Sequence, residues 1–408
     1  MPAETVELHG HIIDSLTLPK VLDDILSLGG EYDIGEVRVG HRRSDPSYAR
    51  IRVQAPEREV LEQILLRLRQ HGAEPVDEGD VVLAPAPADG VYPEGFYVTT
   101  NHQTTIRYRG EWIEVRPSRM DGGIVFDPAT GSATVKKFAD LEKGDLVVVG
   151  SQGVRAAPLE RSTEERNAFE FMASAVSSEK PKNAVIRAVA EQMRAVKAAG
   201  EKILFVAGPA VVHTGAGRHM VRLIEAGYVD ILFSGNALAV HDVEEALFGT
   251  ALGVYLNEGT PSPEGHEHHI RAINAIRAAG GLARAVESGL LTSGVMHACV
   301  RHGVEMVLAG SIRDDGPLPE VITDVIQAQR RMARAIDGVS LAVMIASMLH
   351  SIAVGNLLPA AVKTVCVDIN PAVVTKLADR GTWQAVGLVT DVEPFFHELL
   401  GHLGLPRE

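Results

Sequence analysis

Between residues 341 and 394 three short apolar runs each close on polar residues, with a helix-length gap between them. Met344-Ile345-Ala346 passes into Ser347-Met348-Leu349-His350, and Val365-Cys366-Val367 into Asp368-Ile369-Asn370-Pro371. Gly387-Leu388-Val389 passes into Thr390-Asp391-Val392-Glu393-Pro394. Runs of this length, bounded by turn and cap residues, read as successive β-α units of a parallel sheet. Ligands of such sheets sit at the carboxyl ends of the strands. Ser347, Met348, Leu349, His350, Asp368 and Asp391 are therefore expected to face one nucleotide pocket.

The same alternation begins near Pro181. Residues 202–207 run into Gly208-Pro209-Ala210-Val211-Val212-His213-Thr214-Gly215-Ala216-Gly217, and 231–233 into Ser234-Gly235-Asn236-Ala237. Residues 306–309 run into Gly310-Ser311-Ile312-Arg313-Asp314-Asp315-Gly316-Pro317, making at least six strand-to-loop units. Apolar residues make up 46% of the chain and aromatic residues only 5%. That mix suits helices packed on strands that are apolar on both faces. Gly215-Ala216-Gly217-Arg218-His219-Met220 nearly matches the dinucleotide fingerprint GxGxxG, without the third glycine. Gly215 and Gly217 read either as phosphate contacts or as turn residues. Asp368 and Asp391 read either as ribose acceptors or as helix caps.

The first 79 residues have a different rhythm. Residues 5–13 alternate, 18–28 are helical and end at Gly29-Gly30, 32–39 and 48–53 alternate, and 57–70 show helical spacing before a strand near 73–76. The order β-α-β-β-α-β is that of a ferredoxin-like α+β domain. Residues 80–157 carry a Pro and Gly cluster at 85–95, then short strands expected at 95–100, 105–108, 112–115, 123–126, 134–138 and 145–149, a small β-rich domain. Residues 158–180 read as a helical connector and 181–408 as a Rossmann-like domain.

Other groups carry chemistry in their types. Thr99-Thr100-Asn101-His102-Gln103-Thr104 is either a hairpin loop bonded to its own backbone or a polar lip for a substrate. Arg313-Asp314-Asp315 offers a cation and two carboxylates, suited to a zwitterion or to a solvated loop. Asn257 and Glu258 lie in the segment before a helix that starts with His266, His268 and His269. These histidines lack the HExxH spacing of a helical zinc site, so no metal is expected there. Net charge is −14, which disfavours an extended nucleic-acid surface. Cys299 and Cys366 have no CxxC partner and read as buried thiols. No signal-peptide pattern opens the sequence and no apolar run reaches membrane length, so a cytoplasmic protein without a membrane partner is expected. No Gly-x-Ser-x-Gly, P-loop lysine or Cys/His nucleophile pair is present.

Five segments together resemble the archaeal and cyanobacterial ornithine cyclodeaminase family. They are Leu232-Phe233-Ser234-Gly235-Asn236-Ala237-Leu238-Ala239-Val240-His241-Asp242, Leu349-His350-Ser351-Ile352-Ala353-Val354-Gly355-Asn356, Cys366-Val367-Asp368-Ile369-Asn370-Pro371, Thr99-Thr100-Asn101-His102 and Gly387-Leu388-Val389-Thr390-Asp391-Val392. That family is related to the linker region of plant lysine-ketoglutarate reductase/saccharopine dehydrogenase. The C-terminal half is similar, more distantly, to deoxyhypusine synthase, which implies a modified Rossmann domain and an even-numbered homo-oligomer, dimer or tetramer. The resemblance implies NAD as cofactor and L-ornithine as substrate. Hydride leaves the ornithine α-carbon, the δ-amine attacks the resulting imine, ammonia departs, and hydride returns to give L-proline. The implied NAD contacts are Asn236, Ala237, Asp314, Ser347 to His350, Asp368 and Asp391. His350 and Asp314 are the expected catalytic pair. Asn101, His102 and Arg313 are the expected substrate contacts. The synthase pattern places a catalytic lysine before a histidine pair, whereas residues 341–360 contain no lysine. A lysine-linked imine is therefore not available there. A synthase-like transferase and an NAD- or amino-acid-binding regulatory protein are the competing readings.

Overall fold

The computed structural model describes residues 1–10, 12–13, 16–40, 45–69, 71–75, 79–157, 182–255, 265–379 and 385–407. The chain divides into two compact units, Met1–Ala168 with Pro359–Ala361, and Phe169–Leu358 with Val362–Glu408. The expected connector at 158–180, and Asn257 and Glu258, lie outside the described residues.

In the first unit, β1 (Ala3–Gly10), α1 (Thr17–Ser27), β2 (Glu31–Arg38), β3 (Ser47–Gln54), α2 (Arg58–Arg69) and β4 (Glu74–Pro75) follow one another. The strands are ordered β2-β3-β1-β4, the split β-α-β-β-α-β arrangement. Strand alternation puts Ala49, Ile51 and Val53 on the face shared with Val6 and Leu8, and the helices cover it with Val21, Ile25, Ile64 and Leu68. After β4 come β5 (Val82–Pro85), β6 (Gln103–Tyr108), β7 (Glu111–Glu114), β8 (Gly123–Asp127), β9 (Ser132–Lys136), β10 (Leu146–Val149) and β11 (Val154–Ala157). They form two sheets, β5-β10-β8-β9 and β11-β6-β7.

The strand expected at 95–100 is absent; only the isolated bridges Phe96 to Val149 and Val98 to Gly123 occur there. The backbone bonds there are scattered over two partners: Tyr97 N donates to Val148 O at 2.9 Å and Thr99 N to Gly122 O at 2.9 Å, and the Thr99 side chain adds to them. Thr99 Oγ1 donates to Arg119 O at 2.6 Å and accepts from Gly122 N at 3.1 Å. The strand expected at 134–138 ends earlier, at Lys136, and a 3₁₀ turn covers Phe138–Asp140. Strand β5 was masked by the proline and glycine cluster that begins at its end.

The second unit alternates helices and strands. It runs α3 (Lys182–Ala198), β12 (Lys202–Ala207), α4 (Ala210–His213), α5 (Gly217–Glu225), β13 (Ile231–Gly235), α6 (Asn236–Phe248), β14 (Thr250–Ala251) and β15 (Val254–Tyr255). It continues α7 (Gly265–Ala279), α8 (Leu282–Glu287), α9 (Val295–His302), β16 (Glu305–Ala309), α10 (Val325–Ala335), β17 (Val339–Ile345), α11 (Met348–Gly355), β18 (Lys363–Asp368), α12 (Pro371–Asp379), β19 (Ala385–Val389) and α13 (Val392–Leu403). Six strands form one sheet, ordered β16-β13-β12-β17-β18-β19. All its pairings are parallel. Period-two alternation sends Ile203, Phe205, Leu341 and Val343 into one core. Leu204, Val206, Ala342 and Met344 enter the other. Burial on both faces explains the continuous apolar runs.

One buried carboxylate joins two helices of this unit. Asp242 on α6 is 2% exposed and accepts from Val295 N and Met296 N, each at 2.7 Å. It caps α9, whose own N-cap is Gly294 and has no side chain to do so. Burial pushes the Asp242 carboxyl up to about 7, against the lowering effect of the two N–H donors. A folded value above the unfolded one means that this group's stabilising contribution is fully present below pH about 4 and is lost as pH rises through about 7. Asp242→Ala is expected to leave two buried donors unpaired and to cost about 2–4 kcal/mol in urea unfolding. Asp242→Asn should restore part of that loss and flatten the pH dependence over the same window.

Candidate active site

The strands of the six-stranded sheet run outward in two directions from one seam. From β12 the chain moves to β13 and β16 on one side; β17, β18 and β19 occupy the other. The order therefore reverses between β12 and β17, and the crevice at their carboxyl ends is the ligand position of such sheets. The loops meet there. Gly208 N donates to Ile345 O at 2.9 Å. A methyl group on Gly208 would lie 1.8 Å from Ala346 O, so only glycine fits. Ala346 adopts φ +48, a left-handed conformation unfavourable for a residue with a side chain.

Helix starts around the sheet differ in how they are capped. After β18 and β19 side chains satisfy the free N–H groups. Asp391 accepts from Val392 N at 2.6 Å, and Asn370 Oδ1 accepts from Ala372 N at 3.0 Å. Asp368 closes the turn before α12 by accepting from Asn370 N at 2.8 Å. After β13 and β17 the starts of α6 and α11 have no side-chain cap. Unpaired N–H groups with the positive end of the helix dipole make an anion site, and they lie beside the seam.

His350 lies on the first turn of α11 and leans over β13. A methyl group on Gly235 would sit 3.1 Å from its Cε1. Burial holds the imidazole below its ordinary value, while the charge of Asp314 opposes that shift. Asp314 ends the β16 loop, where its carboxylate accepts from Ser311 N at 2.8 Å and Ser311 Oγ at 3.3 Å. Arg313 beside it is exposed. Asn236 is 4% exposed; its Oδ1 accepts from Leu318 N at 3.0 Å and its Nδ2 donates to Gly316 O at 3.4 Å. Its amide is thus engaged in holding the loop that carries Arg313 and Asp314.

The structure thus brings Asn236, Ala237, Asp314, Ser347, Met348, Leu349, His350, Asp368 and Asp391 to the same edge of one sheet. Gly215 and Gly217 are placed differently. The segment expected as a loop contains the helical turn α4, and Gly217 is the first residue of α5. A methyl group on Gly217 would face Val295 Cγ2 at 3.8 Å and the Glu245 carboxylate at 3.9 Å. A carboxylate neighbour is poor surroundings for a phosphate. Gly208, which the fingerprint comparison passed over, makes the close approach. Asn101 and His102 belong to the first unit. Asn101 O accepts from Ala360 N at 2.9 Å, and Thr104 Oγ1 donates to His102 O at 3.0 Å, so this loop is bonded within its own unit. Burial lowers the His102 pKa, and among the described residues its Nδ1 has no partner. Of the α7 histidines, His268 Nδ1 pairs with Thr250 Oγ1 at 2.8 Å and His269 with Asp315 at 3.3 Å. The side chain of His266 lies outside the described residues.

A parallel sheet with a reversed strand order, uncapped helix starts at the seam and carboxylates at the strand ends defines a Rossmann-type nucleotide-binding protein. The profile described as arginine dihydrolase ArgZ-like, C-terminal, Rossmann fold matches residues 187–399. The ArgZ-like C-terminal first region matches 103–186, and the LOR/SDH bifunctional enzyme conserved region matches 3–102. The chain is 53% identical over 403 residues to the ornithine cyclodeaminase of Methanocaldococcus jannaschii, covering 98% of this chain and 95% of that protein. It is 46% identical to the bifunctional arginine dihydrolase/ornithine cyclodeaminase AgrE of Nostoc sp., covering 98% of this chain and 58% of that one. The crystal structure of apo ArgZ, a cyanobacterial arginine dihydrolase, superposes with a TM-score of 0.86 at 38% identity, over 99% of this chain and 58% of that one. A crystal structure of AgrE holds ornithine and NAD+; its TM-score is 0.53 at 43% identity, over 99% of this chain and 57% of that one. The chain belongs to the archaeal and cyanobacterial ornithine cyclodeaminase family.

Proposed function

We propose that this chain is an NAD-dependent ornithine cyclodeaminase, converting L-ornithine to L-proline and ammonia at the β12/β17 crevice. The relatives named ornithine cyclodeaminase and the AgrE complex with ornithine and NAD+ support the reaction and the cofactor. The observation that carries the location is the uncapped start of α11 at the strand-order reversal, facing Gly208.

The residues present fit NAD. The free N–H groups at the start of α11 suit a pyrophosphate, and Gly208 lets backbone come close. Asp368 at the end of β18 suits ribose hydroxyls. Bound NAD+ supplies the hydride acceptor and gives the hydride back. The chain's own residues do the rest. Arg313 holds the ornithine carboxylate. His350, kept neutral by burial, takes a proton from the δ-ammonium so that a free amine attacks, and returns one to the departing ammonia. Asp314 steadies the charged imidazole between these transfers. The domain boundaries at 79/80, 157/158 and 180/181 belong to the same reading. So do a cytoplasmic location and a homodimer or homotetramer. Among the described residues no helix is long and apolar enough to cross a membrane. Exposed Ile312, Leu349 and Ile369 near the strand ends are apolar surface that a ligand or a second copy would cover.

The reaction is tested by incubating the pure chain with L-ornithine, with and without NAD+, and measuring proline and ammonia. Equal amounts of both, dependent on NAD+, are expected. Tight NAD+ binding with no proline would instead favour a sensor. Asp368→Ala is expected to weaken NAD+ binding at least about tenfold by calorimetry, a loss of about 1.4 kcal/mol or more. Asp368→Asn keeps the turn acceptor and separates local folding from ribose binding. Unchanged affinity in both would remove Asp368 from the cofactor site.

A further inference from the structure

Three donor side chains converge where α5 meets α13, and the proposed reaction uses none of them. Glu393 and His397 are four residues apart on α13, so they share a helix face. His219 enters from the first turn of α5. Their ligating atoms all lie within 4.8 Å of one another. His219 has a fully buried side chain. Among the described residues its Nδ1 has no partner, and its Nε2 reaches Glu393 Oε1 at a long 3.5 Å. The His219 and His397 rings stand edge to face with centroids 6.2 Å apart, an ordinary aromatic pair that leaves the His219 Nδ1 without a hydrogen-bond partner among the described residues. A neutral imidazole buried in this way leaves a lone pair unused, at a cost of about 1–3 kcal/mol.

We propose that His219, Glu393 and His397 form a binding site for a divalent transition-metal ion of the zinc class, tying the start of α5 to the start of α13. Two imidazoles and a carboxylate are a ligand set that such ions accept, with water in a fourth position. Tetrahedral zinc holds its ligand atoms about 3.4 Å apart. Glu393 and His397 are partly exposed and close the remaining gap by side-chain rotation. Arg218 Nη2 lies 3.8 Å from Glu393 Oε1; it is 67% exposed and free to swing outward as the ion enters. The ion clamps two helices that follow the carboxyl ends of β12 and β19, so binding stabilises the sheet edge that carries the crevice. The proposal does not depend on the reaction.

The test is titration of the full, chelator-stripped chain with Zn2+ against a chromophoric competitor, with thermal unfolding in parallel. One Zn2+ per chain and a metal-dependent rise in the unfolding midpoint are expected. Loss of outer partners of metal ligands already costs 10- to 100-fold in affinity. His397→Ala, on a partly exposed face that tolerates truncation, should therefore weaken binding by more than about 100-fold, and His219→Asn likewise. The metal-dependent midpoint rise should vanish in both. No stoichiometric binding, or equal affinity in wild type and His397→Ala, overturns the proposal. The second result would place the ion on others of the 16 histidines.

Discussion

Gly208→Ala is expected to abolish NAD+ binding and to lower stability by about 3 kcal/mol. The added methyl would lie 1.8 Å from Ala346 O and 2.7 Å from Ala346 C, both backbone atoms. No rotamer change relieves such a clash, and overpacking of this kind typically costs about 1–3 kcal/mol. The neighbouring backbone has little room to yield. Ala346 is already left-handed at φ +48, and its N–H donates to Val367 O at 2.9 Å. Relief therefore requires the ends of β12 and β17 to separate, which moves the start of α11 away from the phosphate position. Calorimetry with NAD+ and urea unfolding measure the two effects. A variant that unfolds normally and still binds NAD+ would place the cofactor elsewhere.

His350→Asn is expected to lower the rate of proline formation by about 10²- to 10⁴-fold, the usual contribution of a positioned acid–base group. NAD+ affinity should change only a few-fold, because asparagine keeps a polar side chain on the same helix turn. The sign of the pH effect follows from burial. The imidazole value is lowered, so His350 stays neutral to below its ordinary value of about 6.5. The acid limb of kcat/KM should lie below pH 6.5 in the wild type and disappear in His350→Asn. A loss of less than tenfold with an unchanged acid limb would mean that another group carries the proton.

The sheet was legible because parallel strands buried on both faces leave unbroken apolar runs. Met344-Ile345 and Val365-Cys366-Val367 could be read as strands without knowing what covered them. The β-rich segment was harder. At residues 95–100 the backbone divides its bonds between Val148 and Gly122 and makes only isolated bridges, and residue type alone does not say whether an extended segment joins one ladder or splits between two. Strand-end position placed His350, Asp368 and Asp391 at the sheet edge where the structure has them. It missed Gly208, because the fingerprint drew attention to Gly215 and Gly217, and a close approach between two loops leaves no local signal. Asn236 was legible as a residue at a strand end, but its bonds to Gly316 and Leu318 were not readable from sequence. The Glu393 and His397 spacing was visible; its meaning depended on His219, which is 174 residues away from Glu393.

The most direct measurement follows the α-hydrogen. With L-ornithine deuterated at the α-carbon and unlabelled NAD+, hydride shuttling inside one crevice predicts proline that retains deuterium at its α-carbon. One ammonia should form per proline, with no net NADH. Proline that has lost the deuterium to water, or NADH accumulating without proline, would contradict the account.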